Sequence, residues 1–228
     1  PNANNSVSAL AVSGDGSTIY AGGDFTNVKA TARNRLAALD TSANLLAWNP
    51  NANGTIGALA VSGDESSLYV GGYFSSIGGQ PRKNIAEIDI TTGLATTWNP
   101  GASASVLDLA TDGATVYAGG VFSYTGSTGV TRSNLAALNM LTGEPTAWNP
   151  GTDLAVLALT TDGSTLYAGG DFTTVGGIAR NRIAALDSAG NVTAWNANAN
   201  STVRVLAMDG TTLYAGGDFT TVGGIARN

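Results

Sequence analysis

Tyr20-Ala21-Gly22-Gly23-Asp24-Phe25 is the stretch that decides the fold, because the chain repeats it. Four relatives occupy residues 69–74, 117–122, 167–172 and 214–219, and every Phe of the 228-residue chain ends one of the five copies. A motif that returns every 47 to 50 residues predicts a repeat architecture. In register, repeats one to five cover 1–49, 50–99, 100–149, 150–196 and, as a partial copy, 197–228.

The Tyr, the second Gly and the Phe of the motif are present in every repeat. These positions are Tyr20, Tyr69, Tyr117, Tyr167 and Tyr214; Gly23, Gly72, Gly120, Gly170 and Gly217; and Phe25, Phe74, Phe122, Phe172 and Phe219. The full repeats also share a Trp near their ends, at Trp48, Trp98, Trp148 and Trp195. The Asp after the glycine pair varies, because Tyr73 and Val121 replace it in two repeats. We therefore interpret the motif mainly as structural.

Each full repeat contains four short segments with the character of β-strands. The first segments are 7–12, 56–61, 106–111, 156–161 and 203–208, the second are the Tyr-containing motifs, the third are 35–40, 84–89, 134–139 and 182–187, and the fourth carry Trp-Asn. They are rich in β-branched and aromatic residues and are separated by Gly and Asn, and Asp-Gly pairs predict hairpins. Four antiparallel strands in about 48 residues predict one blade of a β-propeller.

The predicted fold is all-β: a β-propeller with four full four-stranded blades and a half blade. It forms a single domain over residues 1–228, or a fragment of a larger propeller. We expect the first strand to be innermost and covered on both faces by neighbouring blades, and the fourth to be outermost with its Trp between blades. The glycine pair is expected to let the backbone of the next blade approach. The longer loops gather on one face, where we expect any ligand.

Composition excludes several functions. The net charge of −6 and the pI of about 4.4 argue against a nucleic-acid or anionic-membrane partner. The chain has no Cys and no His, which removes thiol chemistry and the commonest general base. No apolar run approaches the roughly 20 residues that span a bilayer. The neighbouring carboxylates Asp64 and Glu65 lie in a predicted hairpin, a poor place to enclose a sugar. We predict no enzyme, no cofactor and no membrane insertion.

Candidate ligand contacts lie on the face with the longer loops. One repeat position always carries an arginine, and these residues are Arg33, Arg82, Arg132, Arg180 and Arg227. With Asn34 and Asn181 they are candidates for binding an anion or a glycan carboxylate. The alternative, which once-per-blade recurrence favours, is a clamp that bonds to loop carbonyls. Tyr73 and Tyr124 are the aromatic residues outside the repeated positions, and as exposed rings they would suit stacking on sugars.

Two further sets of charged residues are candidates for sites. Asp24, Asp171 and Asp218 carry the oxygen ligands that Ca²⁺ prefers, but the spacing of a calcium loop is absent, so we predict no metal site. Asp108 and Arg204 interrupt the apolar first strands. They mark a site in a central channel or, as we favour, side chains that meet water there.

The sequence resembles the delta-60-repeat family of tandem β-propellers along its whole length. The residues that carry the resemblance are Asp-Gly-Ser-Thr-Leu-Tyr-Ala-Gly-Gly-Asp-Phe-Thr-Thr-Val-Gly-Gly at 162–177, then Asn-Arg-Ile-Ala-Ala-Leu-Asp at 181–187, and Trp-Asn-Pro at 48–50. The resemblance implies a large secreted or cell-surface microbial protein with a binding or scaffold role. It implies no catalytic residue.

The partial fifth repeat supplies only the first two strands of a blade. Residues 167–181 and 214–228 are identical, so we favour a fragment of a longer propeller over an imperfect ring or an edge completed by another copy. The expected function is a non-catalytic extracellular or cell-surface module that binds or scaffolds a protein or glycan. The alternatives are a structural subunit that self-associates through the half-blade edge and, less favoured, a carbohydrate-active enzyme.

Overall fold

The computed structural model describes residues 2–125, 129 and 131–227. Within these residues all regular structure is β, with 22 strands and no helix, which confirms the predicted all-β class. The chain forms two compact units. The first comprises Pro1–Val106 with Leu141–Gly143, and the second comprises Leu107–Met140 with Glu144–Asn228. The single β-propeller domain over 1–228 stays a prediction.

A sheet with the second strand at its centre recurs along the chain. The first strands are β1 (Val7–Val12), β6 (Thr55–Val61), β11 (Val106–Thr111), β14 (Val156–Thr161) and β19 (Val203–Asp209). The second strands are β2 (Thr18–Gly23), β7 (Ser67–Tyr73), β12 (Thr115–Thr125), β15 (Thr165–Gly170) and β20 (Thr212–Gly217). The third strands are β5 (Leu36–Asp40), β10 (Ile85–Asp89), β13 (Thr131–Asn139) and β18 (Ile183–Asp187). The sheet orders are β1-β2-β5, β6-β7-β10, β11-β12-β13, β14-β15-β18 and β19-β20. The first three predicted segments of repeats one to four, and the two of repeat five, are therefore confirmed as strands.

One extra residue in the first strand recurs beside the glycine pair. In β1, Val7 faces Gly23 and Ala9 faces Gly22, so Ser8 is left over. The same register shift occurs in β6, β14 and β19. Such a β-bulge bends its strand and increases the local twist. Because it returns at one position, the bulge belongs to the design of the repeat.

The fourth segment does not form a strand, which corrects the predicted four-stranded blade. In repeat one it touches its sheet through an isolated bridge between Leu39 and Leu45, and repeats two to four have the equivalent bridge. The backbone N–H of Leu46 still donates to the Ala38 carbonyl at 2.9 Å. The Leu46 carbonyl, however, accepts the guanidinium of Arg33 instead of a strand N–H. The ladder therefore stops, and the described sheets have three strands, or two in repeat five.

Short hairpins, which the prediction did not include, occupy the connection between the second and third strands. They are β3 (Asn27–Val28) with β4 (Thr31–Ala32), β8 (Ser76–Ile77) with β9 (Gln80–Pro81), β16 (Thr174–Val175) with β17 (Ile178–Ala179), and β21 (Thr221–Val222) with β22 (Ile225–Ala226). Their two central residues have positive φ, as in Gly78 and Gly79 at 60° and 76°. This is the geometry of a two-residue hairpin turn. In repeat three β12 and β13 instead run on, and Tyr124 pairs with Arg132.

The two glycines of the motif have different roles, which corrects the expectation that the pair admits the backbone of the next repeat. A Cβ atom on Gly22 would lie 2.4 Å from Cγ2 of Ile56, a side chain of the next repeat. A Cβ atom on Gly23 would lie 2.1 Å from the carbonyl oxygen of Ser6, in the backbone of its own repeat. The same division holds in repeats two and four. The first glycine therefore makes room for a side chain of the neighbouring repeat.

The Tyr of the motif and the Trp of the fourth segment pack edge to face within four repeats. The ring centroids of Tyr20 and Trp48 are 5.3 Å apart, and the other three pairs lie at 5.3 to 5.6 Å. Trp48 Nε1 also donates to the Asp89 carbonyl of the next repeat at 3.3 Å, and Trp148 Nε1 donates to the Asp187 carbonyl at 3.3 Å. These two indoles therefore lie between successive repeats, as predicted. Each ring pair contributes about 0.5–1.5 kcal/mol beyond the buried area.

The first strand is not covered on both faces in every repeat. Ile56 of β6 and Val156 of β14 are fully buried, as predicted, whereas Leu10 of β1 and Val205 of β19 are exposed. The prediction is wrong for β1 and β19. The physical reason is that β1 packs with one face on β6, and β19 packs on β14 and β15, so the side chains on the opposite faces remain in solvent.

Candidate binding surface

In repeats one, two, four and five, a polar side chain near the start of the repeat ties the entry segment to the short hairpin of the same repeat. Asn4 Oδ1 accepts the backbone N–H groups of Thr26 at 2.8 Å and Asn27 at 3.0 Å. The equivalent contacts are made by Asn53, Asp153 and Asn200. Sequence reasoning missed this role. The available signal was an Asn or Asp at one register position of four repeats.

The repeated arginine fastens the loop after the second strand to the Trp segment. In repeat one Arg33 donates from Nη2 to the Leu46 carbonyl at 2.6 Å and from Nη1 to the Ala32 carbonyl at 2.8 Å. The equivalent carbonyls of Thr96, Thr146 and Thr193 accept the guanidinium groups of Arg82, Arg132 and Arg180. These are the contacts that the clamp hypothesis requires. Ligand binding by this ring of arginines stays a prediction.

Asn34 and Asn181 link the loop of one repeat to the entry segment of the next. Asn34 Nδ2 donates to Asn51 Oδ1 at 2.6 Å, and Asn181 Nδ2 donates to Asn198 Oδ1 at 2.8 Å. Asn51 and Asn198 have φ values of 55° and 48°, a left-handed conformation that Asn adopts more readily than most residues. The two predicted contacts thus have a structural partner, and their binding role stays a prediction.

The residue after the glycine pair distinguishes the junctions between repeats. Two junctions contain a side-chain pair, with Asp24 accepting the Thr55 hydroxyl and Asp171 accepting the Thr202 hydroxyl, each at 2.5 Å. This pair cannot form where Tyr73 or Val121 replaces the Asp, and both of these side chains are exposed. A groove lies beside each of them. Repeats two and three therefore have an exposed side chain at the position where repeats one and four have a hydrogen bond to the next repeat.

The groove of the first unit lies beside Tyr73 and has a volume of about 330 Å³. The Tyr73 side chain is 69% exposed, and the exposed Lys83 lines the same groove. The buried Asn84 fixes the groove, because its Oδ1 accepts the Phe74 N–H at 3.2 Å and its Nδ2 donates to the Ala102 carbonyl at 2.9 Å. The groove thus presents the Tyr73 ring and the Lys83 ammonium group above backbone that the Asn84 side chain holds in place.

The groove of the second unit lies beside Val121, has a volume of about 560 Å³ and is lined by both apolar and polar residues. Asp153, Asp171 and Arg182 line it. The guanidinium of Arg182 donates to the Asp171 carbonyl, and the Arg182 backbone has a φ of 66°. Burial opposes ionisation of Asp153, but hydrogen bonds from the Thr173 hydroxyl and from two backbone N–H groups outweigh it and lower its pKa to about 2. Both carboxylate oxygens of Asp153 accept hydrogen bonds in this way.

Three sequence-predicted candidates lie outside these two grooves. Tyr124 is buried, so the expectation that it presents an exposed ring is wrong, because β12 continues through it and pairs it with β13. Asp108 accepts the backbone N–H of Leu159 at 2.7 Å, and burial raises its pKa to about 6. Arg204 forms an exposed ion pair with Asp218 at 2.6 Å. A site in a central channel stays a prediction for Asp108 and Arg204.

The described residues contain neither a cluster of metal-ligating side chains nor a membrane-spanning helix. In that part of the chain, no three acidic, His or Cys side chains come together as metal ligands. Across the same residues, no helix is long and apolar enough to cross a membrane. Asp24 and Asp171, two of the carboxylates weighed for Ca²⁺, bond instead to threonine hydroxyls.

Comparison with protein families supports a β-propeller family. Residues 67–89, which contain β7 and β10, match a domain of unknown function (DUF5122) described as a beta-propeller. This match is short and does not extend to the delta-60-repeat assignment, which stays a resemblance. No curated protein matches the chain.

Solved structures show the same fold at low sequence identity. The computationally designed Ika4 protein is 20% identical with a TM-score of 0.51, and the match covers 72% of this chain and 86% of that one. The computationally designed Ika8 protein is 19% identical with a TM-score of 0.61 over 97% of this chain and 60% of that one. A chain of the mitotic checkpoint complex is 15% identical with a TM-score of 0.63, and the match covers 92% of this chain and 56% of that one. The chain thus spans less than two thirds of the last two, and the likeness concerns fold alone.

Proposed function

We propose that the chain is a non-catalytic extracellular β-propeller module that binds or scaffolds a protein or glycan. The observation that carries the proposal is the exposed ring of Tyr73 at a groove whose base is fixed by Asn84. The other repeats place Asp or Val at this position, so packing of the repeat does not require a ring there. An exposed, rigid aromatic side chain on a stable scaffold is a typical binding feature.

The chemistry of the Tyr73 groove favours a glycan with an acidic group. A tyrosine ring can stack on the apolar face of a sugar. Lys83 lines the same groove and can pair with a carboxylate or sulfate. The amide of Asn84 is engaged with the backbone and offers little further polar contact. The Tyr73 ring and the Lys83 ammonium group are therefore the groups that we expect to recognise the glycan.

Asp153, in the groove beside Val121, is poorly suited to act as a catalytic acid, which supports the non-catalytic assignment. Glycoside hydrolysis needs one carboxylic acid with a raised pKa to protonate the leaving group. The pKa of Asp153 is instead lowered to about 2, and its oxygens are occupied. A carbohydrate-active enzyme remains the less favoured alternative. Polysaccharide cleavage that Asp153→Asn abolishes would establish it.

The second candidate function is a structural subunit of an extracellular assembly, and the sheet edge at β20 favours it. Within the described residues β20 pairs with β19 only, whereas β15 pairs with both β14 and β18. An unpaired strand edge is a template for a strand from another chain. Loss of self-association on substituting Leu213 of β20 by proline, with the fold retained, is the outcome that this function requires.

A binding screen tests the first proposal. The wild-type chain and the variant Tyr73→Ala are applied to arrays of neutral glycans, acidic glycans and peptides. We expect binding to acidic glycans, weakened at least about tenfold in Tyr73→Ala because stacking on one ring, together with the apolar area that it buries, contributes about 1.4 kcal/mol or more. The matched control is Leu94→Ala, since Leu94 is exposed but does not line the groove. Equal binding by the wild type and Tyr73→Ala would refute the site. Surface labelling of intact source cells tests the extracellular location.

A further inference from the structure

The boundaries between successive repeats inside each unit share one interlock. The first glycine of the second strand faces a β-branched side chain from the first strand of the next repeat. The pairs are Gly22 with Ile56, Gly71 with Val106, Gly119 with Val156, and Gly169 with Val203. A Cβ atom on these glycines would lie 2.4 to 2.7 Å from the facing side chain. All four β-branched side chains are 0% exposed. Only a glycine leaves room for this contact.

A leucine three residues further along the first strand completes the interlock. Cδ1 of Leu59, Leu159 and Leu206 lies 3.3 to 3.5 Å from the Cβ position of the same facing glycines. These leucines are 5 to 9% exposed. At two of the boundaries the Asp after the glycine pair also accepts the hydroxyl of the residue before the β-branched side chain. The interface thus has two apolar contacts and one hydrogen bond in fixed register.

The strand β1 and the residue before it carry all three parts of this interlock, without a partner for the two apolar side chains. Val7 and Leu10 occupy the positions of Val203 and Leu206, and Ser6 occupies the position of Thr202. Val7 is 47% exposed and Leu10 is 65% exposed. We call Ser6, Val7 and Leu10 the donor face.

The strand β20 carries the receiving half. Gly216 occupies the position of Gly169, and a Cβ atom there would meet only Cγ1 of Val205, from its own repeat, at 2.9 Å. Tyr214, whose side chain lies on the same face of β20 as Gly216, is 56% exposed. Asp218, at the position of Asp171, is exposed. We call Tyr214, Gly216 and Asp218 the acceptor face.

We infer that the donor face of one copy of this chain docks on the acceptor face of a second copy. Val7 and Leu10 then cover Gly216, and the Ser6 hydroxyl donates to Asp218, which continues the interface already formed between successive repeats. A second copy fits because it presents the required side chains in the required register. The exposed ion pair between Asp218 and Arg204 is weak competition for this contact. Because the two faces differ, the contact is head-to-tail and generates a ring or a filament.

This contact is independent of a ligand at Tyr73 and differs from strand addition at the β20 edge, because it joins faces of sheets. The test uses two variants, Leu10→Asp to destroy the donor face and Gly216→Val to fill the acceptor face. Sedimentation velocity over a wide range of concentrations measures association of the wild-type chain, each variant and their mixture. Circular dichroism confirms the fold, and Val7→Asp replaces Leu10→Asp if that variant unfolds.

We expect the wild type to form oligomers and each variant alone to remain a monomer of 22.8 kDa. The self-association constant should fall at least about tenfold in each, because a buried unpaired carboxylate or a steric overlap opposes docking. The mixture should give a 1:1 dimer, since each variant keeps the face that the other lacks. Leu94→Asp, a control at another exposed leucine, should associate as the wild type does.

The remaining outcomes overturn the inference. A wild-type chain that stays monomeric at all concentrations excludes the contact. Undiminished association of Leu10→Asp assigns self-association to another surface, such as the β20 edge. Monomeric variants that fail to pair in the mixture exclude a head-to-tail arrangement. Loss of glycan binding in Tyr73→Ala would leave all these results unchanged, so the two proposals fail separately.

Discussion

The carboxylate of Asp108 joins the first strands of two successive repeats, because it accepts the backbone N–H of Leu159 at 2.7 Å. Its other oxygen accepts the N–H of Leu109, in its own strand, at 2.9 Å. Burial raises the pKa of Asp108 to about 6, against the smaller lowering effect of these two hydrogen bonds. In the sequence Asp108 interrupts an apolar strand. In the structure its carboxylate bridges two repeats, and burial makes its ionisation costly.

Asp108 should make the stability of the protein fall as the pH rises. The folded-state pKa lies above the ordinary value of 3.8, so the folded protein holds this proton more tightly than the unfolded chain does. The contribution is fully present below pH 3.8 and is lost as the pH rises through about 6. Relative to the wild type, we expect Asp108→Asn to gain roughly 3 kcal/mol between these limits. Urea unfolding at several pH values measures the difference. If the free energies of unfolding of Asp108→Asn and the wild type differed by the same amount at every pH, the raised pKa of Asp108 would be refuted.

Asp15 provides a control of opposite sign. Hydrogen bonds from Ser13 and Ser17 lower its pKa to about 2. Its stabilising contribution is present above the ordinary value of 3.8 and is lost as the pH falls through about 2. We therefore expect Asp15→Asn to lose stability relative to the wild type as the pH rises from acid to neutral. The same urea unfolding series measures this trend.

The glycine interlock predicts a steric penalty at one glycine and tolerance at its neighbour. A Cβ atom on Gly71 would lie 2.7 Å from Cγ1 of Val106, so Gly71→Ala should destabilise the protein by about 1–3 kcal/mol. The nearest atom to a Cβ on Gly57 is 3.8 Å away, so Gly57→Ala should change stability by less than about 0.5 kcal/mol. Chemical denaturation measures both. In a double-mutant cycle, Val106→Ala should reduce the destabilisation caused by Gly71→Ala, with a coupling energy of at least about 0.5 kcal/mol. Additive effects would contradict the contact.

The two tryptophans of the second unit should differ in their contribution to stability. Trp148 is 7% exposed and donates to the Asp187 carbonyl, whereas Trp195 is 40% exposed. Trp148→Ala should lower the free energy of unfolding by about 3–5 kcal/mol, and Trp195→Ala should cost clearly less. Both rings pack on a tyrosine of their own repeat, so the comparison isolates the contact with the next repeat. Equal losses on denaturation would show that this contact contributes little.

The arginine clamp should matter for stability at Arg180 and not at Arg204. Arg180 Nη2 donates to the Thr193 carbonyl at 2.7 Å, and losing a charged hydrogen bond of this kind costs about 1.5–3 kcal/mol. Arg180→Gln should therefore unfold at a lower denaturant concentration. Arg204 makes only an exposed ion pair, so Arg204→Gln should unfold like the wild type. Unchanged stability of Arg180→Gln, with loss of anion binding, would favour the ligand-binding ring instead.

The sequence was sufficient to locate the first three strands of each repeat, because apolar runs and turn residues mark them directly. The fourth strand could not be judged in this way. Its ladder ends where the Arg33 side chain takes the Leu46 carbonyl, and this competition leaves no periodic trace. The exposure of Leu10 was equally hidden, because an identical pattern is buried in other repeats.

The candidate site was visible only in part. The change from Asp24 to Tyr73 at one register position could be seen in the sequence, and it identified the exposed ring. The structure was needed to show which contact this change removes. Where the Asp is present, as at Asp24, its carboxylate accepts the hydroxyl of a threonine 31 positions later, Thr55. Lys83 occupies the register position of Asn34 and Asn181, directly after the repeated arginine, but the structure was needed to show that it lines the groove beside Tyr73.

The most direct measurement is a calorimetric titration with an oligosaccharide of hexuronic acid and with its neutral hexose counterpart. We predict tighter binding of the acidic sugar by the wild type, at least about tenfold weaker binding of both sugars by Tyr73→Ala, and loss of the preference for the acidic sugar in Lys83→Gln. Leu94→Ala should bind as the wild type does. Equal affinities of the wild type and Tyr73→Ala for the acidic sugar, or no binding of either sugar by the wild type, would contradict glycan recognition at Tyr73.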